Sequence, residues 1–458
     1  MDRKGILIVL VTVGLVIAWH FSYYAPRARE NAKRYEELKR QQAAQKAMEP
    51  PPVATTTQTP PVVPIEATPE QPKAAPSAPE ERKTVASEVG TVDYVFTNHG
   101  GGISRVVLKE HFENKQAGTP IVLNEFGGTA IGVLAERPDD EVLTKSPWTM
   151  SVDDVEHTVT FEQTVPGKVK GVELGKIKIT KKFSLPRRPD ESDKRREKLR
   201  SEYLVGLDVT YTNVGETATS VPKSYLHLGG AGPINKNEQR MYQGFDFWRE
   251  GNTDFKTVDS FAAGGFLFWK HPERPVIATE TDLIRWVAVT NQYFTTMATA
   301  LGGDDKPVEE RRGILGVASW GRHTPISPDE WRRKTEWRPN GHESGGSTPI
   351  SQVDAAMGIP EISLSPGESA ARSFQIYAGP REYRRLRLLD HHESDVLDYG
   401  SFLGIPTGMF SRLLLNSMNG LYAWTGSYSL AIVLLTIFVK ALLWPLQNRA
   451  NNNMKKMS

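Results

Sequence analysis

The apolar run "GSYSLAIVLLTIFVKALLWPLQ", Gly426 to Gln447, constrains this chain more than any other feature. A segment this long with one formal charge is a candidate membrane span. In hydrocarbon such a segment must be a helix, because its backbone can bond only to itself. Trp424 precedes it, and Arg449, Lys455 and Lys456 follow it, which places the basic end in the cytoplasm. A second run, "GILIVLVTVGLVIAWHF" from Gly5 to Phe21, follows Arg3 and Lys4. The residues after it, His20, Phe21, Tyr23 and Tyr24, then Ala25 before Pro26, offer no small-residue site for a signal peptidase. An uncleaved anchor over 5–24 is therefore favoured over a signal peptide, with Trp19, Tyr23 and Tyr24 as an interfacial belt. Two spans leave both termini in the cytoplasm and the mass from about Ala25 to Thr425 outside it. The first span argues the reverse, since six basic residues between Arg27 and Arg40 outnumber Arg3 and Lys4. Orientation is taken from the second, whose flank carries no acids.

Charged residues make up 24% of the chain, yet its net charge is only +2, which excludes a global attraction to nucleic acid. Cysteine is absent, which excludes disulfide frameworks, thiol nucleophiles and cysteine zinc sites. Residues 25–83 begin with "RARENAKRYEELKRQQ", a helical extension with a solvated charged face. They continue into a Pro-, Ala- and Thr-rich stretch without aromatics, a linker unable to bury enough apolar surface to fold.

Residues 84–380 read differently. Short alternating runs, "TVDYVFTN", "ISRVVL", "HTVTFEQT", "KIKITKKFSL", "YLVGLDVTYTN", "RWVAVTNQYFTTMA" and "ARSFQIYA", are split by glycine turns. That pattern predicts a large all-β domain, an antiparallel sandwich of two extended sheets face to face. "RRPDESDKRREKLR", Arg187 to Arg200, mixes both signs and reads as a solvated loop. "GVELGKIKIT", Gly171 to Thr180, lacks the spacing and the Ser or Thr of a phosphate loop, and reads as a hairpin turn. "HGGG", His99 to Gly102, has no GxSxG elbow to serve and reads as a bulge or tight turn. "DHHESD", Asp390 to Asp395, has metal-binding residue types, but adjacent histidines on regular structure point apart.

Residues 381–425 form a junction: a short charged helix and turn, then "IPTGMFSRLLLNSMNGLYAW", Ile405 to Trp424. Met409, Phe410, Leu413, Leu414, Met418, Leu421 and Tyr422 recur at helical spacing there, which predicts an amphipathic helix at the membrane surface, against the alternative of a helix packed under the sandwich. Within the span, residues turn by about 100° each, so Ser429, Thr436, Lys440 and Gln447 fall within roughly 20° of one line. Such a stripe suits a helix bordering other helices or a wet cavity, and Pro445 is placed to bend the helix near Ala441. Lys440 keeps a second reading. It stands only about 13 Å along the axis from Arg449, and its stem could snorkel to the cytoplasmic interface.

Five stretches together resemble the YidC-type insertases of bacterial inner membranes in their long Gram-negative form. They are "TNHGGGISRVVLKEH", "RWVAVTNQYF", "YAGPREY", "LDYG" and "SLAIVLLTIFVKALLWPLQ" with "MKKM" behind it. The resemblance implies a membrane protein insertase and folding chaperone, not an enzyme, whose outer domain is a mutarotase-like β-supersandwich in the periplasm, without implied sugar chemistry. It implies newly made membrane proteins and the lipid bilayer as partners, the Sec translocon and the ribosome beside them, and no cofactor, metal or nucleic acid. Lys440 stands where the family usually has an arginine, in a hydrophilic substrate groove shared here by Thr436, Ser429 and Gln447. Residues 448–458 resemble the start of the family's cytoplasmic hairpin, and the family has further spans after that point, so the sequence is expected to be incomplete. Two other functions stay open on the residues alone: a non-enzymatic envelope scaffold, and an anchored carbohydrate-binding or epimerising protein. The last would need carboxylates and histidines converging in the sandwich.

Overall fold

The computed structural model describes residues 79–440, apart from 115–117, 170–171, 189–193, 236–237, 267–268, 336–349, 398–400, 403–404 and 407. The anchor at 5–24, almost all of the linker and everything after Lys440, Gln447 included, lie outside the described residues. The chain divides into two compact units, Ala74–Gly408 and a second made of Met1–Lys73 with Met409–Ser458.

The first unit is built of antiparallel strands, as the alternation predicts. Each quoted run lies in or across strands, for example Val92–Thr97, Thr158–Val169, Leu204–Asn213 and Ser369–Pro380. The expected pair of sheets takes another form. One sheet has fifteen strands and a second has four, running from Arg82–Ala86 to Thr119–Leu123. A sheet that wide curls, because twist accumulates from strand to strand. Both of its ends contribute to one core, which holds Ile177 and Val205 from one end and Leu226 and Met357 from the other. The small sheet packs on the first end through an aromatic knot. Phe96 meets Phe183 edge-on at 5.5 Å between ring centres, and Phe183 meets Phe161 at 5.8 Å.

Three local readings need correction. The stretch Gly171–Thr180 is mostly strand, Val172–Ser184, and the hairpin closes where Val169 faces Val172. Its alternating isoleucines decide this, since they need a core beneath them. Within Arg187–Arg200, Lys194–Ser201 is a helix, for Lys, Arg, Glu and Leu are good helix formers even when solvated. Ile405–Pro406 pairs as a short strand with Ser401–Phe402, and the helix runs Gly408–Thr425.

"HGGG" is a tight turn. Gly100 and Gly101 have φ of +73° and +60°, a region open to glycine, and a Cβ on Gly101 would fall 2.9 Å from the Trp148 ring. Lys181 reaches this turn from the opposite sheet. It shares the inward parity of Ile177, Ile179 and Phe183 and is fully buried. Its Nζ donates to the Gly100 carbonyl at 2.6 Å and the Gly132 carbonyl at 3.0 Å, 4.1 Å from the centre of the Trp148 ring. Burial pushes its pKa well below the ordinary lysine value. The unfolded chain then holds a proton that the folded chain has lost, so stability should rise with pH by about 1.4 kcal/mol per unit between the two pKa values. Urea unfolding from neutral to alkaline pH should show this slope in the wild type and its loss in Lys181→Met.

Candidate functional site

In the second unit the described residues form two helices around a sharp corner. Gly408–Thr425 ends at Gly426, whose φ of +68° is the left-handed helix stop that glycine supplies. The Gly426 N–H donates to the Tyr422 carbonyl at 2.8 Å, and the Thr425 hydroxyl donates to the Leu421 carbonyl at 2.8 Å. Across the corner the rings of Tyr422 and Tyr428 stack at 3.9 Å, 12° from parallel. Residues 428–440 are helical. No helix among the described residues is long and apolar enough to cross a membrane.

Ser429, Thr436 and Lys440 all lie on this second helix, and all three are exposed. The Thr436 hydroxyl donates to the Ile432 carbonyl of the preceding turn at 2.8 Å, so the helix itself satisfies that polar group. Leu430, Ile432, Val433, Ile437 and Phe438 are exposed as well, whereas Ala431 is fully buried. At about 100° per residue Ala431 lies roughly opposite the polar line. The helix thus shows apolar side chains on most of its surface beside a narrow polar line.

The β unit holds a second concentration of polar groups, which sequence reasoning did not find. Strands Ser224–Ala231, Ser351–Ile359 and Gly316–Pro325 lie side by side. Their register sets His227, Ala356 and Trp320 in one row, and Gly230, Asp354 and Arg322 in the next. A histidine, a carboxylate and a guanidinium thus converge from separate strands. The Arg322 Nη2 and Nε donate to Asp354 Oδ2 at 2.9 and 3.2 Å. Burial raises the Asp354 pKa and Arg322 works against that. Asn124 closes the region from above, donating to the carbonyls of Ser104, Gly128 and Thr129 and accepting from the Gly230 N–H at 2.8 Å. Neither ring nitrogen of His227 has a hydrogen-bond partner. Burial first, then the charge of Arg322, push its pKa down to about 3. The imidazole is therefore neutral at ordinary pH, with no carboxylate to orient it as a general base would require. Alternation could have flagged Lys181 as inward-facing, whereas Asp354 falls out of phase with Val353, Ala355 and Met357; only the register brings His227, Arg322 and Asp354 together.

In "DHHESD" the two histidines diverge. His391 Nδ1 is 3.9 Å from Asp304, His392 Nδ1 is 3.9 Å from Asp395, and the His392 ring stacks on Trp248. No metal-ligating cluster occurs among the described residues.

No family model matches the chain. Among curated proteins it is similar to the "Membrane protein insertase YidC" of Geobacter sp. strain M21, 23% identical over 383 residues, which is 82% of this chain and 58% of that one. The protein of the same name from Citrifermentans bemidjiense is 22% identical over the same shares. That of Anaeromyxobacter sp. strain Fw109-5 is 37% identical over 91 residues, 20% of this chain and 16% of that one. The chain spans 58% of the length of the first two. These relatives bear out the motif reading: the chain resembles YidC-type insertases. Among solved structures it is similar to a galactose mutarotase related enzyme from Lactobacillus acidophilus, 10% identical, covering 65% of this chain and 97% of that one, with a TM-score of 0.35. It is also similar to a putative aldose 1-epimerase from Escherichia coli K12, 10% identical, covering 66% and 99%, with a TM-score of 0.34. Likeness at that level carries no argument about chemistry.

Proposed function

We propose that this chain is the greater part of a membrane protein insertase and folding chaperone of the bacterial inner membrane. In this reading residues 5–24 and 426–447 are its spans, and the β unit is periplasmic. The observation that carries the reading is the similarity to curated insertases across 82% of the chain. The exposed line of Ser429, Thr436 and Lys440 supports its mechanism. This helix supplies one wall of a wet groove, and Gln447 is the fourth polar residue of the stripe in the sequence. No bond is made or broken. A fixed positive charge beside low-dielectric lipid attracts the polar, acid-bearing part of a newly made membrane protein, and groove water lowers the cost of carrying that part past the lipid tails. Lysine keeps the charge but not the planar two-pronged grip of arginine, so attraction outweighs geometric recognition. The Sec translocon and the ribosome are the partners that would deliver such substrates.

The test is depletion of the native protein in a full-length background, followed by rescue. Lys440→Arg is expected to insert a reporter with an acidic translocated segment as well as the wild type. Lys440→Ala is expected to fall about tenfold, the equivalent of ~1.4 kcal/mol, and Lys440→Glu further. Equal insertion by all three would refute the role given to Lys440.

A further inference from the structure

Two short helices meet at one end of the β unit, and both are basic. Lys194–Ser201 and Tyr383–Leu386 are joined through Arg385. Its Nη1 donates to the Leu199 carbonyl at 3.5 Å and to the buried Glu202 at 2.6 Å, and its Nε donates to Glu382 at 3.0 Å. Arg200 holds Asp390 at 2.5 Å, and Lys198 lies 3.8 Å from Glu202. These contacts occupy three acids, while Arg196, Arg384 and Arg387 have no ion pair among the described residues. Arg196, Lys198 and Arg387 are exposed. Residues 187–202 and 381–390 together hold eleven Lys and Arg against seven Asp and Glu, a surplus of four in a chain whose total is +2. A local surplus of this kind attracts anions within a screening length.

Exposed aromatic rings mark the same end. Among the described side chains of the β unit, the exposed aromatics are Phe112 at 41% and Tyr293 at 47%. Contacts tie both to the basic helices. His111, next to Phe112, meets the Phe294 ring edge-on at 5.5 Å and shares a 3.0 Å hydrogen bond with the Tyr203 hydroxyl through Nε2. The Arg385 guanidinium lies 4.8 Å from the centre of the Tyr203 ring, and the Arg381 N–H donates to the Tyr293 carbonyl at 2.7 Å. Around Phe112 the charges of Lys109, Glu110, Glu113 and Lys115 cancel. Arg381 also donates through Nη2 to the Val396 carbonyl at 2.5 Å, and Gly408, where the unit ends, is twelve positions beyond Val396. A bilayer surface selects this combination, since anionic headgroups attract Lys and Arg and the headgroup level favours aromatic rings. A soluble anion would satisfy the charges and leave both rings in water.

We propose that this end of the β unit docks on a bilayer surface containing anionic lipid, with Arg196, Lys198, Arg384 and Arg387 against the phosphates and Phe112 and Tyr293 at the headgroup level. The proposal rests on the reading above, in which the chain is bound to a membrane. The chain has no cysteine, so a bimane label on Glu110→Cys, beside His111 and Phe112, reports this end alone. A label on Val214→Cys is the control, because Tyr203 and Val214 flank the strand Leu204–Asn213, whose ten residues span about 33 Å. The full chain is reconstituted in phosphatidylcholine bilayers, with or without phosphatidylglycerol, and quenching by a headgroup-nitroxide lipid is read. At position 110 quenching is expected to be about threefold stronger or more with phosphatidylglycerol, and the gain to vanish in about 1 M salt, where the screening length is about 3 Å. Arg384→Gln with Arg387→Gln is expected to lower the gain by about half or more, whereas Arg384→Lys with Arg387→Lys keeps it. Phe112→Ser with Tyr293→Ser is expected to lower quenching by a similar factor. Equal quenching with and without phosphatidylglycerol overturns the proposal. So does a gain that is as large at position 214, or one that survives the paired glutamine variant, verified as folded by circular dichroism. The Lys440 rescue assay reads the insertase role separately: rescue without a gain at position 110 overturns the docking alone, and a gain at position 110 with no dependence of rescue on Lys440 supports the docking while overturning the groove.

Discussion

On acidification the β unit is expected to lose about 1.4 kcal/mol of stability per pH unit, from about 6.5 down to about 3, with His227 as the source. The folded pKa lies below the unfolded one. Between the two values the unfolded chain binds a proton that the folded chain refuses, so falling pH favours unfolding. Over the whole window the loss is on the order of 5 kcal/mol, a large part of a domain's usual stability. Asp354 and Glu393 run the other way, since burial raises both and the folded state takes up their protons first. The diagnostic quantity is therefore the difference between wild type and His227→Leu in urea unfolding at stepped pH. The leucine variant should be flatter through the window. Equal slopes would mean that His227 is hydrated or paired in solution.

Arg322→Ala should be the most damaging single change near that cluster, at about 3 kcal/mol at neutral pH. The estimate takes the lower part of the range for breaking a buried ion pair, because the Arg322 side chain is 29% exposed while Asp354 is 1% exposed. With the guanidinium gone, Asp354 keeps only Thr324 near its outer oxygen, at 3.4 Å, and must either hold an uncompensated charge or take up a proton. The double variant Arg322→Ala with Asp354→Asn should recover much of the loss, since no buried charge then remains. Chemical unfolding of the three proteins in detergent checks this. If the single variant loses less than about 1 kcal/mol, the pair is only a solvated surface bridge.

How far the residues alone could lead depends on the range of the interaction. "KIKITKKFSL" announces a strand because period two is a local property, and it announces even that Lys181 points inward, in phase with Ile177, Ile179 and Phe183. It cannot announce why a lysine is tolerated there. The reason is a pair of carbonyls, on Gly100 and Gly132, 81 and 49 residues away. "HGGG" signals a turn through its glycines, whereas the Trp148 ring that forbids a Cβ on Gly101 is visible only in three dimensions. The strand order was not legible for a related reason. Alternation reports one buried face per strand and contains nothing about which strands share an edge, so one fifteen-stranded sheet and two sheets face to face leave the same pattern.

The polar line of Ser429, Thr436 and Lys440 is the clearest case of determination by sequence, because the fixed turn of a helix assigns every residue its side. The same geometry makes the corner at Gly426 readable from a glycine at the end of a helical pattern. What tertiary structure alone decided is convergence. His227, Arg322 and Asp354 come from three strands set beside each other by pairing register, and Arg385 finds the buried Glu202 at 2.6 Å across 183 positions. Local periodicity follows from backbone geometry within a few residues. Juxtaposition of distant residues follows from strand order and register, and those are settled by the packing of the whole core rather than by any stretch within it.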